Sequence, residues 1–262
     1  MRQTGHFVQQ HELEQYLEQH DDGRHRPLTS TEPLEIARDL TRELARLRFG
    51  PPVAVVYNPL EYAWDLHRRY IERFGATRRE ILLLGMNPGP WGMAQTGVPF
   101  GEVGVVRDWL ELRGDVEKPR SEHPKRPVLG LACRRSEVSG ARLWGWAKDT
   151  FKSPDRFFKR FFVVNYCPLL FMEAGGRNLT PDKLPSAERA PLEAACDRTL
   201  RRLVAFYRPK RIVGIGGFAE RRAREALSGT GVEISTILHP SPASPMANRG
   251  WAKIAGPVLA AL

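Results

Sequence analysis

The sequence has 262 residues, of which 42% are apolar, so it is long enough for one domain with a sizeable core. Lys and Arg number 40 against 30 Asp and Glu, and the net charge of +10 favours a polyanionic partner such as nucleic acid, although many basic proteins bind none. The three widely spaced cysteines and the lack of a long apolar stretch exclude a disulfide framework, a Cys-x-x-Cys metal site and a membrane span, and we expect a cytoplasmic protein.

The first part of the chain divides into a polar segment and a helix. Residues 1–30 are rich in His, Gln and Asp, which predicts a weakly ordered extension. From Ser30 to Phe49, possible N-caps, Pro33 near the first turn and a stripe of Leu and Ala at helical spacing predict an amphipathic helix. We therefore expect two regions, a polar extension over 1–30 and a single domain over 31–262.

Four short apolar runs predict buried strands, and helical patterns lie between them. The runs cover residues 81–85, 161–165, 211–216 and 232–238, the helical patterns include 192–207 and 218–227, and a further run at 53–56 is either another strand or an extended connection. This alternation predicts an α/β fold, a three-layer sandwich around a central, mostly parallel four-stranded sheet.

Ligands of such sheets bind at the carboxyl ends of the strands, so the loops that follow the four runs are candidates for a site. Residues 85–101 contain five Gly and three Pro directly after a buried strand, which suits a pocket rim or an ordinary loop. Residues 239–251 begin with His239 and contain hydroxyls and Arg249 that could hold a DNA backbone. A lone histidine at a strand end is more often structural than catalytic.

A second type of site has to be weighed at Gly214 to Gly217, because a glycine-rich turn between a strand and a helix is typical of dinucleotide binding. The glycine spacing does not complete that fingerprint, and Glu233 would begin its strand rather than end it. Tight packing of the turn onto the helix is the better interpretation. The sequence also has no His-x-x-x-His pair and no Gly-x-Ser-x-Gly motif, which argues against hydrolytic metal or serine chemistry.

Taken together, five segments resemble the single-strand-selective monofunctional uracil-DNA glycosylases. They are GMNPGPWGMAQTGVPFGEV at 85–103, HPKRPVLGL at 123–131, SEVSGARLWGW at 136–146, GRNLTP at 176–181 and HPSPASPMANRGW at 239–251. The resemblance runs from about Phe49 to the C-terminus. It implies a uracil-DNA glycosylase fold and removal of uracil, and of 5-hydroxymethyluracil-type bases, from single- and double-stranded DNA by base excision, leaving an abasic site.

The resemblance also implies roles for individual residues, without metal or other cofactor. Asn87 is similar to the residue that places the attacking water, and His239 to the one that faces the departing base. The residues expected to bind the base are Gly85, Met86, Gly89, Met93, Phe100 and Asn165, with Asn165 reading the base and Phe100 stacking on it. The residues expected to contact DNA are Pro240, Ser241, Ala243, Ser244, Met246, Arg249 and Lys253.

Physical chemistry supports these roles. Cleavage of the C–N bond leaves negative charge on the pyrimidine, so a donor such as neutral His239 stabilises the transition state more than the substrate. An amide such as Asn87 can orient a water but cannot take its proton. Asn165 can match uracil N3–H and O4 in one amide orientation only, which requires neighbouring groups that fix it.

One position departs from the family pattern, because Ala243 stands where animal members carry a wedge arginine, and we expect Met246 to fill the space of the flipped base instead. Two other functions stay open: a non-catalytic protein that binds damaged bases in DNA, and a glycosylase that acts mainly on deaminated purines. Heavy use of Arg indicates a GC-rich bacterial source, hence a nucleoid-associated protein, and we expect a monomer.

Overall fold

The computed structural model describes residues 31–262, and the extension expected over 1–30, with the cap at Ser30, lies outside the described residues. The strands are β1 Val55–Tyr57, β2 Ile81–Gly85, β3 Phe161–Asn165, β4 Leu170–Met172, β5 Asn178–Leu179, β6 Arg211–Ile215 and β7 Glu233–Ile237. The helices are α1 Glu32–Leu44, α2 Pro59–Tyr62, α3 Trp64–Phe74, α4 Met93–Thr96, α5 Val103–Asp108, α6 Val138–Phe151, α7 Pro154–Phe158, α8 Ser186–Tyr207, α9 Gly217–Ala226, α10 Pro245–Asn248 and α11 Trp251–Ala260.

The main sheet is parallel and has the order β3-β2-β6-β7, which confirms the predicted four-stranded sheet of an α/β fold. The first two apolar runs match β2 and β3 residue for residue, because each is bounded by polar or turn-forming residues. In this register Gly85 pairs with Asn165, so the ends of β2 and β3 lie side by side. All four strands end at one edge of the sheet.

Side chains of alternate residues on β3 pack on opposite faces of the sheet, as the two-residue period of a strand requires. The Phe162 ring lies 5.1 Å from that of Tyr70 on α3, stacked at 17°. The Phe161 ring lies 5.2 Å from that of Phe157 on α7, stacked at 12°. Helices therefore cover both faces, which makes the three layers of the sandwich.

The apolar run at 53–56 does not join the main sheet. Residues 55–57 form β1, which pairs antiparallel with β4 and, through it, with β5 in a separate three-stranded sheet. The composition of the run indicates a strand. It cannot indicate which strand pairs with it, because β4 comes more than a hundred residues later.

The three predicted helices have slightly different ends in the structure, and α3, α6 and α11 were not predicted. α1 buries Ala37 and Leu40 as expected, and also Ile36. α8 begins at Ser186 rather than at 192 and contains Pro191, a residue that normally ends a helix pattern. The helix α6 was not predicted, because its glycines and tryptophans give no clear helical stripe.

His67 on α3 is a buried histidine that ties the helix to the loop after β2. Its Nδ1 lies 2.8 Å from the carbonyl oxygen of Gly97, and the side chain is almost fully enclosed. Burial lowers the pKa of His67 to about 4, so the imidazole is neutral at pH 7.

We expect this histidine to make the protein acid-sensitive. The folded pKa of about 4 lies below the ordinary 6.5, so the unfolded state binds the proton first as the pH falls. The stability due to neutral His67 is complete above about pH 6.5 and is lost towards pH 4, by about 3 kcal/mol in all. Urea denaturation at pH 7 and pH 4.5 should show a smaller pH dependence in His67→Gln, and an identical dependence would contradict this account.

Candidate active site

A cavity of about 380 Å³ opens at the edge of the main sheet where β2, β3 and β7 end. Several candidate site residues come together on its wall, from loops that are far apart in the sequence. The residues that line it are Met86, Asn87, Pro88, Gly89, Pro90, Phe100, Glu137, Ser139, Asn165, Asn178, Thr180, His239 and Ser241.

Asn87 lies two residues after β2 and is held by one hydrogen bond. Its Nδ2 donates to the carbonyl oxygen of Leu169 over 3.2 Å. Because a carbonyl only accepts, this contact requires the amide nitrogen on that side and leaves Oδ1 to accept from another group. Asn87 can therefore accept a hydrogen bond from a water molecule in the cavity.

Asn165 is the last residue of β3, and its amide is also oriented. Its Nδ2 lies 3.2 Å from Met93 Sδ, and a thioether can accept but not donate. Its Oδ1 is buried and has no hydrogen-bond partner among residues 31–262. A buried acceptor without a partner is costly, so it indicates a site for a ligand that donates.

Met93 was expected to contact the base and is placed differently. Its side chain is 3% exposed and lies behind Asn165, against a small apolar cavity of about 60 Å³. Contact between Met93 and the base stays a prediction. The sulfur provides the neighbouring group that Asn165 needs to hold one amide orientation.

Gly85 is required by the close approach of two site residues. A Cβ at this position would lie 2.3 Å from Asn165 Oδ1 and 2.6 Å from the ring of Phe100. Phe100 itself is 8% exposed and adopts a left-handed φ of 54°, a strained conformation of the kind found at functional sites. Its carbonyl oxygen accepts from Trp144 Nε1 over 3.1 Å, which fixes the backbone that carries the ring.

His239 lies two residues after β7, the edge strand opposite β3, and lines the cavity. Its ring lies 6.1 Å from that of Phe100, at an angle of 42°. Burial lowers its pKa below the ordinary value, which keeps the imidazole neutral at pH 7. Gly216, with φ of 91°, passes so close that a Cβ would lie 3.1 Å from the Cβ of His239.

The glycine-rich turn from Gly214 to Gly217, beside His239, is explained by close packing rather than by dinucleotide binding. A Cβ at Gly214 would lie 2.4 Å from the backbone nitrogen of Glu220 on α9. This confirms that the turn is glycine-rich because the helix packs tightly on the strand.

Arg142 on α6 fixes the loop that begins at His239. Its Nη1 donates to the carbonyl oxygens of Pro240 and Ser241, each over 3.2 Å, and its Nη2 donates to Asn248 Oδ1 over 2.8 Å. Asn248 Nδ2 in turn donates to the carbonyl oxygen of Pro242 over 2.9 Å. One guanidinium group therefore holds both ends of residues 240–248.

The residues expected to contact DNA differ in exposure. Pro240 is buried, and its contact with DNA stays a prediction. The hydroxyl oxygens of Ser241 and Ser244 already accept from Ala243 N–H and Ala247 N–H, which leaves only their O–H groups for phosphate. The four exposed members of the set are Ala243, Met246, Arg249 and Lys253.

Glu137 is a wall residue to which the sequence reasoning gave no role, although its segment SEVSG was part of the resemblance. The carboxylate accepts from the backbone N–H groups of Ser139 and Gly140, each over 3.2 Å, at the start of α6. Burial raises the pKa of Glu137. A Cβ at Gly92 would lie 2.9 Å from Glu137 Cγ, so this side chain supports the loop after β2. Asn178 and Thr180, from GRNLTP, were also missed.

A buried ion pair holds the loop that follows Asn165. Tyr166 Oη donates to Asp197 Oδ1 over 2.6 Å, and Arg222 donates to Asp197 Oδ2 over 2.7 Å and to Tyr166 Oη over 3.0 Å. Because α8 carries the aspartate and α9 the arginine, both helices fix the backbone next to Asn165.

Within residues 31–262, no group of three or more His, Cys, Asp or Glu side chains is arranged to hold a metal ion. In the same part of the chain, none of the helices is long and apolar enough to cross a membrane.

Comparison with known proteins gives consistent matches over most of the chain. Residues 72–255 match the family model of the uracil DNA glycosylase superfamily. The single-strand selective monofunctional uracil-DNA glycosylase of Rattus norvegicus is 54% identical over 220 residues, which is 83% of this chain and 79% of that protein. The protein of the same name from Bos taurus is 53% identical over 218 residues, with 82% and 80% covered.

One solved structure with the same architecture is that of wild-type SMUG2 from Pedobacter heparinus. It superposes with a TM-score of 0.61 over 86% of this chain and 96% of that chain, at 17% sequence identity. At this identity the likeness concerns the fold.

The environment of His239 predicts an unusual titration. Its pKa should lie below 6.5, because burial favours the neutral imidazole. We expect NMR of the ring protons to show this resonance still neutral at pH 6.5, with its assignment made from its loss in His239→Leu. A pKa of 6.5 or higher would contradict the low-dielectric environment described here.

Proposed function

Since this chain belongs to the uracil DNA glycosylase superfamily, we propose that a uracil flipped out of DNA enters the cavity between Asn87 and His239 and leaves it as the free base. The chain is a uracil-DNA glycosylase, a hydrolase of N-glycosidic bonds that acts on DNA in base-excision repair. The observation that carries the assignment of the site is the meeting of Asn87, Asn165, Phe100 and His239 on one cavity wall.

The departing base is stabilised by His239. When the bond between C1′ and N1 breaks, its electron pair moves onto the pyrimidine and spreads to O2. A neutral imidazole N–H aimed at O2 stabilises this charge more than it stabilises the substrate, and the partly enclosed cavity strengthens the interaction. The low pKa of His239 supports this role, since the ring has no need to lose a proton first.

The attacking water is oriented by Asn87. With Nδ2 held by Leu169, Oδ1 accepts one hydrogen of a water whose oxygen then bonds to C1′. An amide has no useful basicity, so the proton leaves the product for solvent after the C–O bond forms. Catalysis therefore depends mainly on the leaving group, and the product is an abasic site in an uncut strand.

Uracil is recognised by Asn165. Its unpartnered Oδ1 accepts from uracil N3–H, and the second hydrogen of Nδ2 donates to O4, while the first points to Met93 Sδ. Cytosine presents an acceptor at N3 and a donor at position 4, which is the reverse pattern. The thioether fixes the orientation that rejects cytosine, because an Asn165 turned over would place Oδ1 against another acceptor.

The range of substrates extends beyond one form of DNA. Flipping a base costs a few kcal/mol and least where the base is unpaired or mispaired, so single strands and U·G pairs are cut faster than U·A pairs. We propose that 5-hydroxymethyluracil-type bases are also excised.

The protein acts as a monomer in a reducing compartment, where its buried free thiols Cys133, Cys167 and Cys196 stay reduced. A cytoplasmic enzyme associated with the nucleoid would fit a bacterial source, but the curated relatives compared above come from mammals and give no support to that source.

The decisive experiment is cleavage of a labelled oligonucleotide that contains one deoxyuridine, single-stranded or paired with G, in EDTA. We expect strand breaks only after alkali, because the enzyme leaves the backbone intact. His239→Leu should lower the rate by about a hundredfold or more, the usual cost of removing a donor to a developing anion. His67→Gln, which changes a buried histidine away from the cavity wall, should stay within a few-fold of the unchanged protein. Binding without any breaks would instead indicate a non-catalytic binder of damaged bases.

A second prediction concerns the residue that fills the hole in the duplex. Met246 is 56% exposed on α10, in the loop that starts at His239, and Ala243 in the same loop is too small for this task. Met246→Ala should slow excision from U·G duplex far more than from single strands, because only the duplex has a stack to be held open. Val258→Ala, another exposed apolar residue, is the matched control, and equal losses on both substrates would refute the wedge.

A further inference from the structure

Two arginines lie against the ring of Trp91, one residue beyond the cavity wall formed by Gly89 and Pro90. The Trp91 cluster consists of Trp91, Arg126 and Arg135, and Lys125 and Arg134 precede the two arginines in the sequence. Trp91 is half-buried, and the Cζ atoms of Arg135 and Arg126 lie 4.5 and 5.4 Å from the centroid of its ring. The ring therefore attracts and aligns two guanidinium groups.

The cations of the cluster have no acidic partner within the described residues 31–262, whereas many arginines elsewhere in that range form ion pairs. Of the two acidic residues that are near these cations in the sequence, Glu122 is paired with Lys118 over 2.9 Å and accepts from Val128 N–H over 2.8 Å. Glu137 is used by the start of α6. Two guanidinium groups on one ring without an acidic partner repel each other and favour an anionic ligand.

The backbone that carries the cluster is held by buried groups. Gln95 is fully buried, and its Nε2 donates to the carbonyl oxygens of Pro90 over 2.9 Å and Pro127 over 3.0 Å. Its Oε1 accepts from Leu129 N–H over 2.8 Å. One side chain thus joins the residue before Trp91 to the residue after Arg126, so the two segments keep a fixed distance.

Arg126 also has unused hydrogen-bonding capacity. Its Nη1 donates to the carbonyl oxygen of Lys125 over 2.9 Å, and its Nε is buried without a hydrogen-bond partner among the described residues. A guanidinium group with free donors beside an aromatic ring is suited to phosphate oxygens, which it can bind with two parallel hydrogen bonds.

We propose that the Trp91 cluster binds the sugar–phosphate backbone of single-stranded DNA immediately beside the nucleotide whose base lies in the cavity. This rests on the function proposed above, since it is the position next to the cavity that selects DNA among polyanions. The loop of Met246 and Arg249 lies on the His239 side of the cavity, and the cluster lies on the side of Gly89 and Pro90. Both sides of the cavity therefore hold the strand. Contacts with the Trp91 cluster do not require a second DNA strand.

The test is the binding of the full-length protein to a single-stranded oligonucleotide that carries a tetrahydrofuran abasic analogue, measured at increasing salt. Each lost phosphate contact lowers the slope of log K against log salt by about 0.7 on single strands, so Arg126→Ala/Arg135→Ala should lower the slope by about 1.4. The matched control is Arg156→Ala/Lys159→Ala, which removes the same charge from exposed residues at the opposite end of the sheet, where β3 begins. The control should keep the slope of the unchanged protein.

Two further measurements make the proposal specific. Trp91→Leu keeps every charge and should weaken binding several-fold, because the guanidinium groups lose the ring that aligns them. With enzyme in saturating excess, the rate of uracil excision by the arginine double variant should equal that of the unchanged protein, since the cluster does not touch the base.

The proposal is overturned if the arginine double variant and the control give the same slope, or if Trp91→Leu binds as tightly as the unchanged protein. Failure of the unchanged protein to excise uracil would instead overturn the proposed function, and the binding measurement does not depend on excision. The two results can therefore be told apart.

Discussion

The arrangement of this site depends on how closely backbone and side chains approach one another at the carboxyl edge of the parallel sheet. At Gly85 the space that a Cβ would occupy is filled by Asn165 Oδ1, 2.3 Å away, and at Gly216 the nearest atom is the Cβ of His239, at 3.1 Å. Because these contacts involve strand ends in a fixed register, the distance between the Asn165 amide and the His239 imidazole is set by the sheet. A methyl group at either glycine would move a functional side chain.

The polar groups of the site are oriented by single, directional contacts in largely buried surroundings. Leu169 accepts from Asn87, and Met93 accepts from Asn165, and each contact removes the twofold ambiguity of an amide. The same burial that makes these contacts strong lowers the pKa of His239. The orientation of the amides and the neutrality of the imidazole therefore have one physical cause.

Polar side chains hold the loops around the cavity through hydrogen bonds to their backbone. Arg142 fixes residues 240–248, and Gln95 fixes the segments on either side of the Trp91 cluster. Loops rich in Gly and Pro bury few side chains of their own, so hydrogen bonds to their carbonyl groups supply the order that a binding site needs. The positive charge of the chain is thereby presented at fixed positions next to the cavity.

The sequence by itself predicted the parallel sheet and the edge at which its strands end, because apolar runs and turn residues are local signals. The resemblance of its motifs to a known family named Asn87, Phe100, Asn165 and His239 as site residues. Tertiary structure alone decided the contacts between distant segments. Arg142 meets Pro240 across 98 positions and Asn165 meets Met93 across 72, and β1 finds its partner in β4. Such contacts depend on which surfaces the fold brings together, and a local sequence pattern cannot predict them.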